Sequence, residues 1–295
     1  MEPCRLCRAN AELRESHIVP AFVYRWQKDT SSTGYLRVGQ RINVRAQDGL
    51  KCRFLCDACE GRLSAWETTF ARDFFLPFHE QAQTTFEYGE WMAKFCVSVS
   101  WRALSYMQQH CEHAKFDRSF APDAAEALSV WADFLLGKRP DIGRFEQHLL
   151  PFGAISDADG NLPANMQRYL VRAVEIDRLC NNQSAVTFAK LGHVILVGFV
   201  REPEAPLWKG TKVDIDKGTI APQRLEVPHW LLKYLAGRAN RLAQLESGLS
   251  LRQREAIGRT QRLNAQRVAE SETLQARLED KRLRRGRSKT DVGDD

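Results

Sequence analysis

A chain of 295 residues, 43% hydrophobic and 27% charged, can bury one large core or two smaller ones, and this composition is that of an ordinary soluble protein rather than a disordered or membrane one. Its longest apolar stretch, Val194–Val200, has strand length and falls far short of the ~20 residues that span a bilayer, so no membrane partner is expected. The net charge of +6 is gathered late, because Leu251–Lys289 holds twelve Lys and Arg against five Asp and Glu. Such a stretch either binds nucleic acid or an acidic partner, or is a solvated helix face with a frayed end.

In chain order, residues 1–80 carry the cysteine pairs. The opening "MEPCRLCRANAELRE" lacks a basic end followed by an apolar core, so a cytoplasmic location is expected. In a reducing compartment paired cysteines are metal ligands more often than disulfides. Cys4 and Cys7 form one CxxC knuckle and Cys56 and Cys59 another, and four thiolates suit tetrahedral Zn²⁺. Cys52, Cys96, Cys111 and Cys180 stand alone and are expected to pack as small buried residues. Between the knuckles lie Arg37, Arg41, Arg45, Lys51 and Arg53 with Tyr35, against Asp48 as the lone acid from Gly34 to Phe54. That surface can track a phosphate backbone or be an ordinary polar hairpin face.

Residues 81–225 begin as helix. "EWMAKFCVSVSWRALSYMQQH" and "PDAAEALSVWADFLLG" space apolar groups three and four apart, with Pro122 suited to a first turn and Gly137 just past an end. Trp91, Phe95, Trp101, Trp131 and Phe134 are expected in the core. "NLPANMQRYLVRAVEIDRL" reads as a further short helix. From about 183 to 222 the residues are β-branched and apolar or alternate, predicting a small sheet with His193 as a packed or edge histidine in a strand. In residues 226–295, Leu232, Leu235, Ala239, Leu242 and Leu245 make a helical stripe. "SGLS" then separates it from a second helix over about 251–284.

Two other motif readings are weaker. "PCRLC" matches half of a zinc-deaminase signature but has no H-x-E upstream. His110 and His113 could complete a Cys₂His₂ site with the first knuckle, which would leave Cys56 and Cys59 unexplained.

The order CxxC, then His17-Ile18-Val19-Pro20, then Leu55-Cys56-Asp57-Ala58-Cys59 resembles the zinc-stapled HNH, or ββα-metal, endonucleases over roughly residues 4–70. The resemblance implies a hairpin followed by a helix, with a structural Zn²⁺ on the four cysteines. It implies His17 as the general base and one Mg²⁺ or Mn²⁺ at the scissile phosphate. Two positions depart from the family. Ser16 stands where an aspartate usually ligates the metal, and Glu60 stands where a His or Asn is usual. Glu60 is then the metal ligand, with Ser16 as a neutral helper, and Glu15 faces the other side of the strand by alternation.

The expected fold is α+β and mainly helical: an N-terminal zinc-stapled ββα unit, a helical middle, a small sheet and long C-terminal helices. The expected function is metal-dependent endonuclease action on nucleic acid, DNA ahead of RNA. The alternative is a non-catalytic zinc module that binds nucleic acid or a partner protein, for which the C-terminal helices offer a surface.

Overall fold

The first strands follow from the two knuckles. β1 (Glu2–Pro3) and β2 (Asn10–Ala11) pair around the Cys4–Cys7 turn, and Arg8 closes that turn with φ 65°. β3 (Leu13–His17) leads through Pro20 into α1 (Ala21–Asp29), whose Val23 and Trp26 are buried. Two short strands, β4 (Leu36–Arg37) and β5 (Arg45–Ala46), pair with each other before β6 (Lys51–Cys56) returns antiparallel to β3. The register sets Leu13 opposite Cys56 and His17 opposite Lys51, with a bulge between Arg14 and Glu15. α2 (Asp57–Phe70) starts at once, with Asp57 and Glu60 in a first turn that favours acids. One π-turn at Ala71–Phe75 carries it into α3 (Leu76–His79). The fold is α+β and mainly helical; in its N-terminal unit β3 and β6 pair and α2 follows, but α1, β4 and β5 are inserted between the two strands, so the expected ββα order is interrupted. This computed structural model describes residues 1–80, 83–110, 119–153, 162–221 and 225–290, without the side chains of Gln40 and 284–290. Cys111 and His113 therefore lie outside the described residues.

β7 (Phe86–Gly89) precedes α4 (Glu90–His110), which is buried nearly all round from Met92 to Ser105, as a central helix must be. α5 (Ala121–Leu135) has Pro122 in its first turn, and Gly137 closes it at φ 73°. Phe95, Trp101, Trp131 and Phe134 are core as expected, while Trp91 is half-buried. Of the isolated cysteines, Cys96 is buried, Cys52 is half-buried and Cys180 is exposed, contrary to expectation.

The sheet starts earlier than the sequence implied. β8 (Gln147–Pro151), β9 (Val174–Cys180), β10 (Ala185–Leu191) and β11 (Val194–Arg201) form it in the order β8-β11-β10-β9, all antiparallel. Only Met166–Arg172 of the expected helix is helical (α6), and the remainder is β9. β12 (Lys217–Ile220) pairs instead with β7. One face of β10 and β11 joins the cluster of α4 and α5, and the other packs on α6 and α7 (His229–Ser247). Burial on both faces is why these strands read as an unbroken apolar run. His193 is not in a strand. It stands beside Gly192 in the two-residue turn between β10 and β11, where Gly192 has φ 62° and an added Cβ would lie 2.4 Å from Trp26.

Lys190 anchors that turn. Its buried Nζ donates to the carbonyls of Leu170 (2.6 Å) and Gly192, and burial drives its pKa well below the usual 10.5. The unfolded chain therefore keeps this proton to higher pH than the folded chain. Stability should rise with pH from the folded pKa up to 10.5, by at most about 1.4 kcal/mol per pH unit. Urea unfolding from about pH 7 to about pH 10 should show this rise in wild type relative to Lys190→Met. Parallel profiles would refute it.

The C-terminal stretch is three helices rather than one: α8 (Leu251–Leu263), α9 (Ala265–Glu270) and α10 (Glu272–Thr290). The breaks fall at Asn264 and Ser271, whose side chains bond nearby backbone groups in place of the helix ladder. In α7 the buried residues are Leu231, Leu235 and Ala239, whereas Leu232 is largely exposed. The basic stretch is partly tied down. Arg267 donates to the carbonyls of Lys28, Asp29 and Ser31, capping the end of α1, and Asp280 holds Arg168 of α6 at 2.8 Å. Among the described residues no helix is long and apolar enough to cross a membrane.

Candidate metal centre and hydrolytic site

The four predicted thiols meet. The sulfurs of Cys4, Cys7, Cys56 and Cys59 all lie within 4.8 Å of one another, brought together by the β1–β2 turn and the junction of β6 with α2. Cys7 Sγ and Cys56 Sγ stand 3.7 Å apart, too far for a disulfide. A tetrahedron with Zn–S bonds of about 2.3 Å has edges of about 3.8 Å, so this spacing suits a metal ion such as Zn²⁺. The Cys56 backbone N–H donates to Cys4 Sγ (3.3 Å). Burial opposes ionisation of Cys4, but hydrogen bonds from the backbone of Cys56, Cys7 and Leu6 outweigh it and bring the pKa down to about 7. Burial, together with the neighbouring thiols, pushes Cys59 up. Gathering four such groups as thiolates takes a cation to offset their charge.

His17 ends β3. Its Nε2 lies 2.9 Å from Asp48 Oδ1, and its side chain keeps 19% exposure. Asp48 also pairs with Lys51 at 2.6 Å and accepts the Gly49 N–H at 2.8 Å. Burial would raise the Asp48 pKa, but hydrogen bonds from Lys51, His17 and Gly49 hold its carboxyl well below the usual range. Gly49 is required here, since an added Cβ would sit 1.9 Å from the Tyr24 ring. Behind the strand, Arg102 of α4 donates Nη1 to the His17 carbonyl (2.9 Å) and pairs with Glu67 of α2 (2.6 Å) while almost wholly buried. His17 is thus oriented through both its side chain and its backbone.

Ser16 has a different partner. Its hydroxyl is fully buried and donates to Glu60 Oε2 at 2.6 Å. Ser16 and Glu60 are therefore brought together, whereas His17 pairs with Asp48 rather than with either of them. Among the described residues two groups of three or more metal-binding donors converge within 4.8 Å, and Glu60 belongs to neither. Glu15 is exposed, as alternation implied.

Asp48, Arg102 and Glu67 were not identified from sequence. For Asp48 a signal existed: it is the lone acid of a basic stretch, three residues before the residue that pairs with His17. Arg102 and Glu67 gave none, since their roles depend on how α4 packs. In the basic stretch Arg45 stacks on Tyr35 at 4.1 Å, Arg37 is bound to Ile42 O and to Gln253, and Arg41 and Arg53 are exposed. No protein-family model matches the chain, and neither curated proteins nor solved structures yield a match.

Proposed function

We propose that the chain is a metal-dependent phosphodiester hydrolase acting on nucleic acid, DNA ahead of RNA, with a Zn²⁺ on the four cysteines as its structural staple. The observation that carries this reading is the His17–Asp48 pair beside the paired strands β3 and β6 and the helix α2 that follows them. With Nε2–H donated to Asp48, the other ring nitrogen, Nδ1, is left as the proton acceptor. It would take a proton from the water that attacks phosphorus, and Asp48 would stabilise the resulting imidazolium. Glu60 would hold the divalent ion through its carboxylate, with Ser16 fixing one oxygen; a hard cation that keeps several waters and takes phosphate oxygens needs only one or two such ligands. When bound, Mg²⁺ or Mn²⁺ would supply charge stabilisation at the phosphoryl oxygens and the leaving oxygen. Arg41, Arg53 and Arg45 are the groups expected along the phosphate backbone.

One observation favours the second reading, a binding module without catalysis: the buried Ser16 hydroxyl already engages Glu60. Plasmid and single-stranded RNA incubated with pure protein and Mg²⁺ or Mn²⁺ separate the two readings. Nicking that Glu60→Gln loses, and that excess metal partly restores, is the expected result. An inert wild type that still binds DNA with a steep salt dependence is the binding module.

A further inference from the structure

A second group of donors lies away from the cysteines. His79 ends α3, His193 stands in the β10–β11 turn and Glu272 opens α10, so three distant parts of the chain meet at one point. One ligand atom from each lies within 4.8 Å of the others, and the three side chains are only 12%, 16% and 15% exposed. The imidazole centroids are 4.9 Å apart, and Trp26 stands edge-on to both, at 5.0 Å and 5.8 Å.

The hydrogen bonding leaves donors unused. His193 Nδ1 meets the Phe152 carbonyl at 3.0 Å, which places its proton there and leaves Nε2 with a lone pair. That Nε2 is buried and has no hydrogen-bond partner, and neither has His79 Nδ1. Imidazole nitrogens stranded in this way are costly and call for an explanation. A histidine whose other ring nitrogen donates to a backbone carbonyl is the usual arrangement for a metal ligand. His193 Nε2 lies 3.5 Å from Glu272 Oε2, near the edge of about 3.3 Å expected for a tetrahedron of N and O donors around Zn²⁺. His79 Nε2 lies against Oε1 of the same carboxylate. Arg172, stacked over Trp26 at 4.7 Å, orients that carboxylate with a 3.0 Å contact to Oε2. Lys190 fixes the His193 turn from inside the sheet.

We propose that His79, His193 and Glu272 form a second metal site, for a divalent transition-metal cation of the Zn²⁺ class. Two histidines and one carboxylate are three protein ligands, the number found in open zinc sites that keep a fourth position for water or substrate. All three line a cleft of about 1280 Å³, whose wall also offers Gln167, Thr211 and Gln275, so the fourth position has room. The site stands independently of the hydrolase reading, because none of its residues belongs to the His17–Glu60 region.

The test is metal stoichiometry on the full chain. Zinc-loaded protein is dialysed and then titrated with Co²⁺, with calorimetry and absorption read together. Wild type should take up a second equivalent whose spectrum shows d–d bands without sulfur-to-metal charge transfer. That equivalent should vanish in His193→Gln and His79→Gln, weaken at least tenfold in Glu272→Gln, and persist in Glu60→Gln. Glu60→Gln protein, in which no ion at Glu60 is counted, that takes only one equivalent with saturating Zn²⁺, Co²⁺ and Mn²⁺ overturns the proposal, as does a second equivalent that survives both histidine substitutions in that background. Should those variants fail to fold, pulsed EPR of Cu²⁺-loaded wild type decides. Two coordinated imidazole nitrogens support the site, and their absence rejects it.

Discussion

Cys56→Ser should yield protein that lacks stoichiometric zinc and melts far below the parent. Cys56 has two roles, because its sulfur belongs to the four-thiol cluster and its backbone N–H supports Cys4. Binding of structural zinc contributes on the order of 10 kcal/mol in small zinc domains, and losing one thiolate removes much of it. The damage should spread. Leu6, Leu13, Phe54, Leu55 and Leu63 of the zinc unit share one hydrophobic cluster with Phe95, Trp101 and Trp131, so the unit cannot unfold without opening the face of α4. Elemental analysis and thermal melts with and without chelator check this, and amide exchange should show lost protection in β3, β6 and α2. Full zinc content in the variant, or an unchanged melting temperature, would refute the staple.

His17→Ala should abolish divalent-dependent cleavage, by about 10² to 10⁴ in rate if the imidazole is the base. Zinc content should be unaffected, because His17 belongs to neither donor cluster. Asp48→Asn is the more informative partner. It retains a polar contact to Nε2 but removes the charge that stabilises the imidazolium, so activity should fall between the parent and His17→Ala. Equal activity in all three proteins would assign any cleavage to another site or to a contaminant.

Much of the architecture was legible because its signals are local. CxxC spacing, the apolar period of α4 and α5 and the β-branched run of β10–β11 each describe a few turns or one hairpin, and the structure keeps them. Continuity along the chain was less legible. The helix expected over residues 161–179 gave way to strand after Arg172, because pairing with β10 decides the conformation of Val174–Cys180. The second C-terminal helix broke at Asn264 and Ser271, where docking against α1 and α6 sets the direction of the chain. The candidate site divides in the same way. The four cysteines were legible from spacing, and His17, Ser16 and Glu60 only through the family resemblance; the cysteines meet as spacing required. That Asp48 rather than Ser16 or Glu60 faces His17 was decided by the β3–β6 register. That His79, His193 and Glu272 share one point was decided only when α3, the β10–β11 turn and α10 closed around Trp26. A local pattern can specify which residues point together within one element. Residues 79, 193 and 272 have no common period, and only the packing of their three elements sets the distance between them.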